Sequence, residues 1–154
     1  MKIDKLFNGL KRIANGDYVL EGDLISEETI EIDLDDRFVV KGRIESKKSI
    51  IIRHGIKAGD GIEAGWGIKA GDGIEAGDGI EAGCGIKAGW GIEAGWGIEA
   101  GAFISVKKRI FAGISIYRTS KDCDKTIRCT ELRDGEVCYG DLILTGSEEK
   151  PDED

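Results

Sequence analysis

One histidine, four cysteines and three tryptophans set the limits on chemistry in this 154-residue chain. His54, in Ile-Arg-His-Gly, is the single imidazole that could serve as a general base near neutral pH. Such a base needs a polar neighbour to orient its ring; no second group is spaced to do so, and a solvated corner residue is expected. A zinc site of three histidines is excluded, because one histidine cannot supply three ligands. Cys123, Cys129 and Cys138 lie close in sequence, but not at knuckle or ribbon spacing and with no histidine nearby, so buried small thiols are expected. Cys84 takes a position otherwise held by Asp or Trp and reads as inert. Asp60 and Asp78 would make a weak cation site without further ligands. The expectation is therefore no metal, no cofactor and no catalytic residue, with His54 the one weak candidate.

The element that must position these residues runs from Gly55 to Gly101. It repeats one six-residue phrase eight times: GIKAGD, GIEAGW, GIKAGD, GIEAGD, GIEAGC, GIKAGW, GIEAGW, GIEAGA. Fixed-period repetition at six residues predicts a parallel β-helix. In an extended tripeptide, Ile and Ala point to one face and the charged residue between them to the other. The Gly-X-Gly that follows would turn the corner, glycine tolerating positive φ at little cost. Three such sides close a triangular coil of about 18 residues, with coils about 4.8 Å apart.

An 18-residue coil sorts the outward residues into columns. Glu63, Glu81 and Glu99 fall in one, Lys69 and Lys87 in the next, and Lys57, Glu75 and Glu93 in the third. Corner residues stack as Asp60, Asp78 and Trp96; Trp66, Cys84 and Ala102; and Asp72, Trp90 and Lys108. Two readings of Trp66, Trp90 and Trp96 stand side by side: an interface, as large exposed aromatics usually mark, or indoles lying flat to shield glycine backbone. Like charges stacked at that pitch repel, so the Glu column would gain from a basic partner, and the Lys column of a second copy would supply one. The plainer alternative is a solvated, salt-screened face.

Beyond the glycine-rich tract the register is extended in sixes. Backwards from Ile56 it reaches Ile50, Ile44, Phe38, Ile32, Ser26 and Leu20; forwards it reaches Ile104, Ile110 and Ile116. The predicted organisation is an N-terminal capping helix over residues 1–16, a β-helix over 17–118, a β-hairpin cap over 119–146 and an acidic disordered tail over 147–154. The helix rests on Ile3, Leu6, Phe7, Leu10 and Ile13 at helical spacing, ended by Gly16. The hairpin rests on strand-like Thr126–Leu132 and Val137–Leu144 flanking Asp134-Gly135.

A net charge of −8 argues against a direct nucleic-acid binder, which needs a basic face. There is no apolar run long enough to span a membrane and no signal-peptide core at the start, making the cytoplasm the expected location.

The phrases GIKAG and GIEAG, with VLEGDL at Val19 to Leu24, resemble two families over roughly Leu20 to Tyr117. These are the left-handed hexapeptide-repeat proteins, which include trimeric acyltransferases, and the bactofilin-like right-handed β-helix proteins. The order Ile-x-Ala is similar to the bactofilin side and reverses the left-handed hexad, favouring right-handed winding. Three functions follow as expectations. The first is a non-catalytic structural or interaction protein that self-associates through its faces, with a homo-oligomer or another protein as partner. The second is an acidic, nucleic-acid-mimicking inhibitor from a phage or mobile element, since the tract carries five Glu and three Asp against three Lys. The third, implied by the hexapeptide-repeat resemblance, is an acyltransferase with His54 as base between subunits.

Overall fold

The structure, a computed structural model, describes residues 1–114 and 124–145. It is an all-β parallel solenoid of about seven coils. One side stacks Tyr18–Leu20, Phe38–Val40, Ile56–Ala58, Ile74–Ala76, Ile92–Ala94 and the end of the long strand Phe103–Ala112. The second stacks Leu24–Ser26, Ile44–Ser46, Ile62–Ala64, Ile80–Ala82, Ile98–Ala100, Thr126–Cys129 and Asp141–Leu144. The third stacks Lys2–Ile3, Ile30–Ile32, Ile50–Ile52, Ile68–Ala70, Ile86–Ala88 and the start of Phe103–Ala112.

Through the repeat, partners lie 18 residues apart, as in Ile44↔Ile62↔Ile80↔Ile98, so isoleucine stands on isoleucine and alanine on alanine. Each of these isoleucines is essentially excluded from water, and such burial stabilises by about 1.5–3 kcal/mol per side chain. No coil can bury its isoleucines alone, which makes the stack cooperative along its axis.

The repeat glycines serve space rather than φ, correcting the sequence expectation. Among the described residues positive φ occurs at Gly9, Gly16, Gly22, Gly113, Gly135 and Gly140, none of them in the hexads. The first corner glycine, at Gly59, Gly65, Gly71, Gly77, Gly83, Gly89 and Gly101, instead lies against a carbonyl of the coil before it: a Cβ on Gly77 would stand 2.0 Å from the Gly59 oxygen. This close approach lets the corner amides continue the ladder, as Asp78 N–H does by donating to the Asp60 carbonyl at 3.3 Å.

Three further expectations fail at the ends. The N-terminal segment is not helical. Lys2–Ile3 adds to the third side in parallel, and Lys11–Arg12 pairs antiparallel with Tyr18–Leu20. Ile3 fills the first coil and Phe7 and Leu10 pack beneath it, but Leu6 is 92% exposed, so the apparent helical stripe does not face one surface. Asp4 accepts a hydrogen bond from Leu6 N–H and organises a turn in place of a helical first turn.

The register also slips by two residues before Phe38. Leading inward positions are Ile30, Leu24 and Tyr18 rather than Ile32, Ser26 and Leu20, because the step from Ile30 to Phe38 has eight residues. The extra residues send Leu34 into the core and bring Asp35 and Asp36 outward. Asp35 accepts from Lys5 Nζ at 2.8 Å and Tyr18 Oη at 2.7 Å, and Asp36 accepts from Arg12 at 2.8 Å. The insertion is thus the clasp that holds the N-terminal cap.

At the other end there is no hairpin. Glu131–Tyr139 passes through Asp134-Gly135 as one strand, parallel to Phe103–Ala112, and Thr126–Cys129 pairs in parallel with Asp141–Leu144. Positive φ at Gly135 sits in an irregular stretch of that ladder instead of a reversing turn. Coiling therefore continues past the predicted boundary at residue 118. Ile116, Tyr117, Cys123 and the acidic tail at 147–154 lie outside the described residues.

Candidate functional site

The outward positions of the three sides are chemically distinct. On the second side the middle residues run Glu45, Glu63, Glu81, Glu99 and then Arg128. Glu45 was missed because it lies before the glycine-rich tract, although counting back 18 from Glu63 finds it. Its carboxylate is held by Lys47 at 3.1 Å and Arg43 at 3.9 Å. Glu63, Glu81 and Glu99 make no ion pair among the described residues. Burial, followed by repulsion from Glu63 and Glu99, raises the pKa of Glu81, the central member. Asp60 and Asp78 line the same open groove of about 460 Å³, with Trp96 and Asp124.

On the third side the sequence of outward residues is Ile51, Lys69, Lys87 and Ser105. Neither lysine has an ion-pair partner among the described residues, and Ile51 is exposed. The first side reads Val39, Lys57, Glu75, Glu93 and Phe111. Here Lys57 and Glu75 meet at 2.9 Å, so that side compensates much of its own charge. All three charge columns read from the sequence therefore form, and two of them remain uncompensated.

The corner columns form as well. Amide-to-carbonyl bonds link Asp60, Asp78 and Trp96; Lys48, Trp66, Cys84 and Ala102; and His54, Asp72, Trp90 and Lys108. The tryptophans divide. Trp66 and Trp90 are 58% and 59% exposed, whereas Trp96 is half-buried in the acidic groove. Lys108 Nζ lies 5.0 Å from the Trp90 ring centroid, a cation–π contact that fixes the indole on one side.

His54 does have an orienting group, contrary to the sequence expectation. Its Nδ1 lies 3.3 Å from Asp72 Oδ2, one coil on in the same corner column. The 18-residue count that joined Asp72 to Trp90 would have revealed this had it started one coil earlier. The adjoining groove, about 750 Å³, carries Arg37, Glu75, Trp90, Glu93 and Lys108 but no serine, threonine or cysteine. An oriented imidazole is present there without a serine, threonine or cysteine beside it among the described residues.

Cys129 is buried, as expected, with its thiol pKa raised by that burial, whereas Cys138 is exposed, against the expectation that Cys123, Cys129 and Cys138 are all buried thiols. Cys84 is exposed at its corner. No group of three or more His, Cys, Asp or Glu side chains placed to hold a metal ion occurs among the described residues. No helix among them is long and apolar enough to cross a membrane. The chain matches no protein-family model, no curated protein and no solved structure.

Proposed function

We propose that this protein is a non-catalytic interaction rod that self-associates by setting the glutamate side of one copy against the lysine side of another. The observation that carries this reading is the pair of uncompensated columns: Glu63, Glu81 and Glu99 on one side, and Lys69 and Lys87 on the next. Both advance by one coil, about 4.8 Å, so a second copy is a partner whose charges match in pitch as well as sign. Phosphates along one DNA strand advance about 3.4 Å per nucleotide, which makes the same column a poor imitation of nucleic acid. The Ile-x-Ala order of the hexads supports a right-handed, bactofilin-like coil as the finer assignment of the rod.

Light scattering at low and high salt tests the reading. The expected result is an assembly at low salt that dissociates as salt screens the columns. A monomer at both salt concentrations would overturn it. The oriented His54 favours acyl transfer as a second reading, which requires His54→Ala to abolish transfer from an acyl thioester donor to an added acceptor.

A further inference from the structure

Resting on that reading, we infer that the pairing is heterologous and cannot close as a twofold dimer, so copies add round a ring of about six or in an open array. The argument is geometric. The glutamate and lysine sides are adjacent sides of a triangular rod, meeting at the corner of Lys48, Trp66, Cys84 and Ala102. A twofold axis would require that when side two of one copy meets side three of its partner, side three of the first also meets side two of that partner. Two convex rods touch flat along one side only, and so cannot satisfy both contacts. An unsymmetrical pair leaves one glutamate side and one lysine side unused, and each recruits another copy.

With axes parallel, each addition turns by the corner angle, about 60° for a triangle, and about six additions complete the circle. The corner column then lies toward the ring axis, and the self-compensated side with Lys57, Glu75 and Trp90 faces outward. Ile51 on the lysine side and Trp96 on the glutamate side add apolar contact within the same interface.

Two charge-reversed variants and their mixture test this directly. Lys69→Glu with Lys87→Glu makes both sides acidic; Glu63→Lys, Glu81→Lys and Glu99→Lys together make both basic. Sedimentation at low salt should give monomers for each variant alone. An equal mixture should regain the wild-type mass, about six-fold that of a monomer for a ring or more for an array, with the variants alternating. If the triple reversal does not fold, Glu81→Lys mixed with Lys87→Glu provides the same comparison, with partial dissociation alone and recovery on mixing. A mixture that stays monomeric while wild type assembles would overturn the pairing of these two sides. A wild-type dimer whose mass does not grow with concentration would overturn the heterologous geometry while leaving self-association standing. A wild-type monomer would instead remove the underlying reading.

Discussion

Replacing Gly77 with alanine should be far more damaging than replacing Gly73, although both are corner glycines of the same phrase. A Cβ on Gly77 would sit 2.0 Å from the Gly59 carbonyl oxygen, against 3.6 Å between a Cβ on Gly73 and the nearest atom, the Gly91 oxygen. Carbon and carbonyl oxygen approach comfortably only to about 3.3 Å, so the two coils must part by more than about 1 Å at that corner. The bonds from Gly77 N–H to Ala58 at 3.1 Å and from Asp78 N–H to Asp60 at 3.3 Å then stretch out of range. Each contributes about 0.5–1.5 kcal/mol, and overpacking adds about 1–3 kcal/mol. The expected total is about 2–6 kcal/mol, a large part of the roughly 5–15 kcal/mol that stabilises a domain. Gly73→Ala meets no such contact and needs no positive φ, so restriction of the unfolded chain should stabilise it by about 0.4–1 kcal/mol. Urea unfolding followed by circular dichroism should separate the two variants' midpoints by roughly 1.2–3.5 M for a slope of about 2 kcal/mol/M, the Gly73→Ala gain adding to the Gly77→Ala loss. Coincident midpoints would refute the claim that carbonyl approach, rather than turn conformation, selects these glycines.

Other consequences can be measured in the same way. Ile80→Ala opens a cavity in the middle of the stack and should cost about 2–5 kcal/mol, while Ile80→Val should cost about 0.5–1.5 kcal/mol. The Lys5 and Tyr18 hydrogen bonds hold the Asp35 carboxyl below its ordinary 3.8, so its contribution is fully present above that pH and is lost as pH falls toward the folded value. Protease cleavage between residues 4 and 16 should therefore rise on acidification in wild type, and Asp35→Asn should be cleaved readily at neutral pH. Glu81 has the opposite sign: its raised pKa means that stability falls as pH rises from the ordinary 4.5 through the folded value. Glu81→Gln should flatten that part of the pH–stability curve, and an unchanged slope would show that neither the burial of this carboxyl nor the column repulsion has energetic weight.

The sequence was most legible where one local rule repeats. Ile inward, Ala inward and charge outward place Glu63 over Glu81 and Lys69 over Lys87 without reference to distant parts of the chain. Legibility was lost where the rule is interrupted by a few residues. Ser26, counted as an inward leading position, was the one polar residue among otherwise apolar positions, and it marked the slip that the Asp33 to Arg37 step introduces. The N-terminal cap misled because apolar residues three and four apart are equally available to a short irregular segment wrapped under an open coil, as Phe7 and Leu10 are. Asp134-Gly135 misled because a turn-forming pair also suits a distorted parallel strand, and only pairing with distant Phe103–Ala112 decides between them. His54 and Asp72 were separable on the page but adjacent in space, since one coil brings residues 18 apart into contact.

The stacking of like on like also means that the chain keeps two different clocks. In the glycine-rich tract its interior repeats every six residues, because every hexad offers Ile and Ala to the core, whereas the charges of its glutamate and lysine sides repeat only every eighteen. Loss of one hexad, such as residues 74–79, would leave each later isoleucine inward, but advance the following chain by one side. Lys87 would then stand over Glu63, and Glu93 over Lys69. Gain or loss of a single hexad would leave the core pattern intact, yet the sorted faces survive only changes of three hexads at a time. Length variants that differ by whole coils would keep their binding sides, and those that differ by a single hexad would fold as well but lose the partition of charge.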